Sequence, residues 1–357
     1  MRWMMIAALL VPFSAKADMD TRAGPITVTS VMSGLERPWG FDFLPGGGVL
    51  VTQLDGSFVA RLPDGETASL PGPDGLALVG QGGLLDVMVP TDFATTGDVY
   101  YSFAKIQNGG SGTALGRMSL DPATLAFMSH ETLFEITAGS DGGRHFGSRI
   151  VEGPDGYIYM TVGDRGDRPS AQDLSRENGS VLRLNRDGTI PKSNPFAGSA
   201  IWSYGHRNPQ GLAVSPSGQI IAIEHGPKGG DEINRIRKGR NYGWPVISYG
   251  THYSGGKVGE GTSKAGMEQP LLHWDPSIAP SGAMVYSGKL WPQWKDHVFT
   301  GSLKFNNIQV ARPGANAQIT DVLQSMETQR VRDVDEAPDG SIWFLGQPEG
   351  TLYRMTP

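Results

Sequence analysis

The chain contains no cysteine, which excludes a disulfide framework, a thiolate metal site and a cysteine nucleophile. Charged residues make up only 18% of its 357 residues, and the net charge of −6 argues against nucleic acid as the main partner. The sequence also lacks a G-x-x-x-x-G-K-[ST] phosphate loop, a G-x-S-x-G elbow and a G-x-G-x-x-G motif at a strand–helix junction. Nucleotide and nicotinamide chemistry are therefore not expected.

Long apolar runs are absent apart from residues 4–13, which are too few to span a bilayer as a helix. A positive charge precedes this run, and Ala15 and Ala17 place small residues at the −3 and −1 positions before Asp18. This pattern predicts an export signal over residues 1–17, whose removal leaves a periplasmic or secreted chain. A buried N-terminal helix or strand is the alternative interpretation.

Glycine and proline are abundant instead, with 50 and 25 residues, and they favour a fold with many tight turns. Between them lie short runs rich in β-branched and aromatic residues, which predict β-strands. The clearest of these runs are residues 48–52, 98–103, 157–162, 219–223 and 341–345. Residues 231–238 are compatible with either a short helix or a strand.

A repeated turn organises these strands, because Pro45, Pro154, Pro216 and Pro338 each begin a turn in which glycine supplies the positive φ. The prolines are separated by roughly two, one and two units of about 55 to 60 residues, and roughly six such units fill the mature chain. The sequence therefore predicts an all-β six-bladed β-propeller of four-stranded antiparallel blades, with residues 18–357 as one catalytic domain. A pair of β-sandwiches with similar turns is the alternative.

Arginine-containing segments lie about eight residues before each of these turns. Equivalent positions of different propeller blades lie at one height around the central axis, so these segments are expected to meet at one mouth of the channel. Cations gathered in an acidic protein predict an anion-binding site, although each arginine can instead pair with local carboxylates. The residues expected at this mouth are Gln81, His145, Arg207, Asn208, Arg330 and Arg332.

His145 lies among glycines that let other groups approach the backbone closely. Its imidazole suits the removal of a proton from a hydroxyl near neutral pH, although a single histidine is often structural. His206, which precedes Arg207, is compatible with either role.

The best candidate metal site is the glycine-broken turn at residues 224–232, which has carboxylates at both ends. Such turns expose backbone carbonyls, and carbonyls together with carboxylates suit Ca²⁺. A solvated acidic turn is the alternative, because EF-hand spacing and an H-E-x-x-H motif are both missing. The acidic turn at residues 163–167 is interpreted as an ordinary loop with local ion pairs.

Four ordered motifs carry a resemblance to a known family. They are YGHRNPQGL at 204–212, EHGP at 224–227, DEIN at 231–234 and NYGWP at 241–245. In these motifs the chain resembles the soluble sugar dehydrogenases that depend on pyrroloquinoline quinone (PQQ), and the resemblance covers nearly the whole mature sequence. His225 resembles the aldose sugar dehydrogenase branch, because the better-known soluble glucose dehydrogenases carry glutamine there.

The resemblance implies a six-bladed propeller with PQQ over the channel mouth, where aldoses are oxidised to lactones. His145 would take the proton from the sugar C1 hydroxyl while hydride passes to the C5 carbonyl of PQQ. Arg207 and Asn208 would polarise the quinone oxygens, and the electrons would pass to an external acceptor. The residues implied to hold the cofactor are Gln81, Arg207, Asn208, Lys304, Arg330 and Arg332.

The same resemblance implies bound Ca²⁺. The backbone carbonyls of Gly226 and Pro227 would bind one ion that also contacts PQQ, whereas the Glu232 carboxylate and the Tyr242 carbonyl resemble a second site. His252 occupies a position where the glucose enzymes carry aspartate, which argues against a further site. The short loops indicate an open site and a monomer.

Two other functions stay open. A calcium-dependent propeller hydrolase acting on lactones or similar esters needs a metal at the channel centre and no anion cradle, so Lys304, Arg330 and Arg332 argue against it. A propeller that only binds its ligand leaves the combination of His145, Arg207 and Asn208 unexplained.

Overall fold

The computed structural model describes residues 17–314 and 316–357, so the predicted leader lies outside the described residues except for Ala17. These residues form strands almost throughout, with one short helix, α1 (Phe93–Thr96), and 3₁₀ turns at Pro45–Gly47, Arg168–Gln172 and Pro292–Trp294. None of these helices is long and apolar enough to cross a membrane. In chain order the strands are β1 (Ala17–Thr21), β2 (Gly24–Met32), β3 (Pro38–Leu44), β4 (Gly48–Gln53), β5 (Phe58–Arg61), β6 (Thr67–Leu70), β7 (Leu84–Met88), β8 (Asp98–Gln107), β9 (Gly110–Leu120), β10 (Phe127–Glu135), β11 (Ile150–Glu152), β12 (Ile158–Val162), β13 (Ser180–Leu184), β14 (Ile201–Tyr204), β15 (Pro209–Val214), β16 (Ile220–Glu224), β17 (Asp231–Arg235), β18 (Leu272–Trp274), β19 (Pro280–Val285), β20 (Val298–Ser302), β21 (Asn307–Arg312), β22 (Gln318–Leu323), β23 (Val331–Glu336), β24 (Ile342–Gly346) and β25 (Thr351–Thr356).

The strands form six antiparallel sheets around a central channel, which confirms the predicted six-bladed propeller. Five blades consist of four consecutive strands each: β3–β6, β7–β10, β11–β14, β15–β18 and β19–β22. The sixth blade joins both ends of the chain in the order β1-β2-β25-β24-β23, so it has one strand more than predicted. The extra strand arises because a turn, in which Thr21 Oγ1 donates to the Gly24 carbonyl (2.8 Å), folds β1 back onto β2.

The runs predicted as strands are strands β4, β8, β12, β16 and β24, and the ambiguous run 231–238 begins with strand β17, which pairs with β16 and β18. The four proline turns connect β3 to β4, β11 to β12, β15 to β16 and β23 to β24. Each turn therefore links the first strand of its blade to the second, which explains why the same sequence signal recurs.

The first strand of each blade lines the channel. Strands β3, β7, β11, β15, β19 and β23 contact one another in succession, and β23 contacts β3 to close the ring. Large apolar side chains fill the space between neighbouring blades, such as Phe58 and Tyr101 between the first two blades and Trp294 and Phe344 between the last two. Since this burial is shared between blades, each blade is stabilised by its neighbours.

Arg149 occupies the middle of the channel. Its Nη1 lies 2.8 Å from both Asp86 Oδ1 and Asp333 Oδ2, Nε donates to the Gln210 carbonyl (2.8 Å), and Nη2 donates to the Arg332 carbonyl (2.9 Å). This one guanidinium connects four blades. It separates a cavity of about 920 Å³ at one mouth of the channel from a cavity of about 560 Å³ at the other.

Candidate active site

The larger cavity opens at the end of the channel where the first strands of the blades begin. Segments of different blades meet here, as the sequence predicts. The predicted residues that line this cavity are Gln81, Asn208, Lys304, Arg330 and Arg332. His145 and Arg207 line an adjoining cavity of about 240 Å³, and Gln81 joins the two because its Oε1 accepts a hydrogen bond from the His145 amide (2.8 Å).

The cations of the larger cavity have polar partners that do not neutralise them. Arg332 is buried, its nearest acceptors are the side-chain oxygens of Gln210 and Gln347 at 3.4 Å, and its Nε has no partner. Burial, reinforced by Arg149 and Arg330, lowers the pKa of Arg332 to about 9. Because burial of an unpaired guanidinium is unfavourable, an anion bound beside Arg332 would stabilise it.

Lys304 and Arg330 show the same pattern. Lys304 Nζ donates to the Ser277 carbonyl (3.2 Å), and Arg330 Nη1 donates to the Leu303 carbonyl (3.4 Å). Neither residue, nor Arg332, forms an ion pair with a carboxylate anywhere in residues 17–314 and 316–357. The alternative in which each arginine pairs with a local carboxylate is therefore wrong for this group.

His145 is held by a buried carboxylate. Its Nδ1 lies 2.6 Å from Asp164 Oδ1, its φ is +55°, and its side chain is only 14% exposed. Burial lowers the pKa of His145 more than the hydrogen bond to Asp164 raises it, and the charge of Arg207 lowers it further. The imidazole is therefore neutral at pH 7, with Nδ1–H donating to Asp164 and Nε2 free to accept a proton.

Asp164 is itself held on both oxygens. Oδ1 also accepts the Gly166 amide (2.8 Å), and Oδ2 accepts the indole N–H of Trp244 (2.8 Å). Burial raises the pKa of Asp164, but the hydrogen bonds from His145 and from the Gly166 amide, together with the nearby Arg207, outweigh it, so the pKa lies below its usual value. The backbone also fits closely, since a Cβ at Gly163 would overlap the carbonyl oxygen of His145.

Arg207 and Asn208 present donors next to His145. Arg207 is buried, its Nη1 donates to the His225 carbonyl (3.3 Å), and its Nε lacks a partner. Asn208 Oδ1 accepts the Gly147 amide (3.2 Å), which leaves the Nδ2 amide free of protein acceptors in the described structure. Arg207 lines the smaller of the two cavities and Asn208 lines the larger one.

His206 is structural rather than catalytic. It is fully buried, with Nδ1 at 2.8 Å from Glu224 Oε1 and Nε2 at 2.9 Å from Ser203 Oγ, and its ring stacks on Tyr242. Both ring nitrogens are satisfied inside the fourth blade and its neighbour. The interpretation of His206 as a second base is therefore excluded by its position.

The predicted calcium ligands lie on one side of the site. Glu232, Tyr242 and Gly226 line a small cavity of about 20 Å³ together with Glu224, and Pro227 is buried beside Gly226. Burial, with a further contribution from Glu224, raises the pKa of Glu232 to about 8. A buried carboxyl with a raised pKa beside a second carboxylate, in a space of ionic size, is suited to contact a cation.

The sequence does not predict the positions of several residues of the site. The turn at 163–167 was interpreted as an ordinary loop, which is wrong, because Asp164 is the carboxylate that holds His145. Trp244 belongs to the NYGWP motif, but nothing in the sequence placed its indole on Asp164. Arg168 and Tyr253 line the His145 cavity from loops that carry no repeat signal.

A family model for glucose and sorbosone dehydrogenases matches residues 35–354. The chain belongs to this family. It is 38% identical over 350 residues to aldose sugar dehydrogenase YliI of Escherichia coli, covering 94% of each chain. It is 30% identical over 348 residues to quinoprotein glucose dehydrogenase B of Acinetobacter calcoaceticus, covering 74% of this chain and 73% of that protein.

Solved structures of the glucose and sorbosone dehydrogenase family share the fold. The apo form of the soluble aldose sugar dehydrogenase of E. coli superposes with a TM-score of 0.88 at 36% identity, covering 93% of this chain and 99% of that one. The PQQ-bound aldose sugar dehydrogenase of Streptomyces coelicolor gives a TM-score of 0.78 at 27% identity, covering 95% and 99%. These likenesses confirm the family that the sequence motifs predict and, with it, the expectation of an enzyme.

Proposed function

We propose that this protein oxidises aldoses at the C1 hydroxyl to the corresponding lactones, with PQQ as cofactor and Ca²⁺ as its companion ion. The observation that carries the proposal is the pairing of a cationic cavity with a neutral, carboxylate-held histidine at its edge. When bound, PQQ supplies the two-electron acceptor for the hydride that leaves sugar C1.

The cofactor's three carboxylates match the cations of the larger cavity. Lys304, Arg330 and Arg332 would hold them, and Arg332 would gain the anion that its buried guanidinium lacks. Gln81 would position the cofactor beside His145, since it already contacts the His145 amide. Exclusion of water by the apolar walls, including Trp39 and Phe146, strengthens each of these charge contacts.

His145 is the proposed general base. Its free Nε2 would accept the proton of the C1 hydroxyl while the C1 hydrogen leaves with its electron pair, so the C1–O bond becomes the lactone carbonyl. Asp164 would keep Nδ1 protonated and stabilise the imidazolium that forms. Arg207 and Asn208 would donate hydrogen bonds to the negative charge that develops on the cofactor oxygens.

Calcium is proposed at two places near the turn 224–232. The carbonyls of Gly226 and Pro227 would contribute to an ion that contacts the cofactor, and Glu232 with the Tyr242 carbonyl would contribute to the second. The fit of the second site rests on the raised pKa of Glu232, because a cation would replace the proton that this buried carboxyl otherwise retains.

The proposal includes a cleaved leader ending at residue 17, a periplasmic or secreted monomer of one domain over residues 18–357, and electron transfer to an external acceptor. The hydrolase alternative requires a metal at the channel centre. Arg149 occupies that position, bound to Asp86 and Asp333, so the structure favours the oxidoreductase.

Titration of the purified apo protein with PQQ in the presence of Ca²⁺ tests the proposal. We expect saturable binding, followed by a change in the cofactor absorbance when glucose or another aldose is added. Arg332→Gln is the matched variant, which removes the charge but keeps a polar side chain, and it should weaken PQQ binding by about tenfold or more. Absence of binding, or binding without any aldose-dependent reduction, contradicts the proposal.

A further inference from the structure

The cavity beside His145 contains two arginines that the proposed function leaves unused. Arg144 and Arg168 line this space of about 240 Å³ together with His145, Arg207 and Tyr253. It is smaller than the roughly 300–1,000 Å³ pockets of drug-sized ligands, which suits one sugar ring. His145 lines this cavity and not the larger one, and its Nδ1 is already bound to Asp164.

Arg168 is fixed without being neutralised. Its Nη1 donates to Nδ1 of His252 (2.9 Å), and its guanidinium lies 5.3 Å from the Trp244 ring centroid. The adjacent carboxylate of Asp167 pairs with Arg176 instead, at 3.7 Å. Because His252 accepts the hydrogen bond on an unprotonated nitrogen, it orients Arg168 while the full positive charge stays available to a ligand.

Arg144, on the same cavity, is not neutralised either. Its side chain is exposed and extends over Gly166, where a Cβ would overlap the guanidinium. Neither Arg144 nor Arg168 has a carboxylate ion-pair partner in the part of the chain that the structure describes. The carboxylate that does line this cavity, Asp164, is committed to His145 and Trp244.

A neutral aldose does not explain two such cations around the base. In a hexuronic acid in its pyranose form, C1 and the carbon that bears the carboxylate are both bonded to the ring oxygen. A sugar acid whose C1 hydroxyl lies at Nε2 of His145 therefore places its carboxylate on the same side of the ring as the reacting carbon, within this cavity. Guanidinium groups bind carboxylates with paired, charge-assisted hydrogen bonds.

We propose that the preferred substrates are anionic aldoses of the hexuronate class, whose carboxylate is bound by Arg144 and Arg168. This inference rests on the proposed function for its chemistry. The reaction is the same two-electron oxidation, in which His145 takes the proton of the C1 hydroxyl and the C1 hydrogen passes to the cofactor as hydride, and it yields the lactone of an aldaric acid. Neutral aldoses react as weaker substrates because they lack the group that the two arginines recognise.

The test compares kcat/KM of the PQQ-loaded enzyme for glucuronate or galacturonate with that for glucose or galactose. We expect the uronates to be preferred by about tenfold at low salt, and the preference to fall as salt screens the arginines. Arg144→Gln and Arg168→Gln should lower kcat/KM for uronates by about tenfold each and for neutral sugars by less than about twofold. Arg168→Lys, which keeps the charge, should retain most of the preference.

Arg312, an exposed arginine on the outer part of the fifth blade, provides the matched control. Arg312→Gln should change kcat/KM neither for uronates nor for neutral sugars. Equal or better activity on neutral sugars, or equal losses for both classes in the arginine variants, overturns the inference. Failure to oxidise any aldose instead contradicts the proposed function. In that case calorimetric binding of methyl β-D-glucuronide against methyl β-D-glucoside decides the inference, with equal binding of the two counting against it.

Discussion

Asp164 Oδ1 accepts a 2.6 Å hydrogen bond from Nδ1 of His145, and the other oxygen of the same carboxylate accepts the indole N–H of Trp244 at 2.8 Å. The carboxylate is thereby fixed from two sides, and it fixes in turn which imidazole nitrogen is free. This relationship gives a histidine on a left-handed backbone position a fixed ring orientation and one nitrogen that is not bound to Asp164.

Replacement of His145 tests its role directly. We expect His145→Ala to lower kcat by about 10²-fold or more, because the proton of the C1 hydroxyl then has no acceptor, while PQQ still binds. Equilibrium titration with PQQ and steady-state kinetics separate the two effects. Turnover at the wild-type rate in this variant would remove His145 from the mechanism.

Asp164→Asn should lower kcat by about 10²- to 10⁴-fold with a much smaller change in KM, because an amide orients its partner imidazole poorly. Trp244→Phe removes only the donor to the second oxygen of Asp164, and it should lower kcat by about tenfold or less. The order of the two effects is the decisive result. A larger loss in Trp244→Phe than in Asp164→Asn contradicts the arrangement.

The pH dependence follows from the lowered pKa of His145. The neutral imidazole is the active form, so kcat/KM should be constant above the ordinary histidine pKa of 6.5 and should fall as the pH drops through the lower value in the folded protein. In Asp164→Asn the falling limb should move to still lower pH, because the carboxylate that favours the imidazolium is gone. A limb above pH 6.5 is incompatible with this environment.

Removal of calcium should destabilise the protein. At about 100 times its Kd, a ligand that binds only the folded state adds about 2.7 kcal/mol to the free energy of unfolding. The pKa of Glu232 is raised to about 8, so Ca²⁺ has to displace a proton at neutral pH and its affinity should rise as the pH approaches that value. Thermal unfolding with Ca²⁺ or a chelator measures this, and Glu232→Gln should abolish most of the calcium-dependent shift. The exposed Glu66→Gln is the control.

Two carboxyl groups at the other mouth of the channel, Asp42 and Asp335, predict a contribution to folding stability that falls as the pH rises. Burial raises the pKa of Asp335 well above its usual value and that of Asp42 to about 7, so these two carboxyls bind more protons in the folded protein than in the unfolded chain between pH 4 and 7. Their contribution to stability should therefore fall as the pH rises through this range. Asp335→Asn should raise the free energy of unfolding at pH 8 by on the order of 1 kcal/mol, with little effect near pH 4.

Urea unfolding at the two pH values measures the difference. Asp20→Asn, at an exposed position on β1, is the control and should leave the free energy of unfolding unchanged at both pH values. A gain in Asp335→Asn that is equal at both pH values would show that ionisation of Asp335 is not the cause.

Much of the fold was predictable because its signals are local and repeated. The proline–glycine turns at Pro154 and Pro338 each need only a few residues to specify a reversal, and their recurrence indicates blades. Convergence of Gln81, Arg207 and Arg332 followed from the same repeat, since a propeller places equivalent positions together.

The rest of the site was not predictable from such signals. Asp164 and Trp244 are 80 positions apart in sequence, and only the three-dimensional path of their loops brings the carboxylate to the indole. Arg168 is oriented by its hydrogen bond to His252, which lies 84 positions away in a second loop outside the repeat. The fifth strand of the sixth blade was also not predicted, because β1 joins that blade only by pairing with β2.

The pairing of β2 with β25 fastens the first and last blade strands into one sheet. A nascent chain therefore cannot complete its ring until β25 has left the ribosome, and we expect the proposed cofactor pocket to form only then. Deletion of the final seven or so residues should yield a protein that keeps every proposed catalytic side chain but assembles no cofactor pocket.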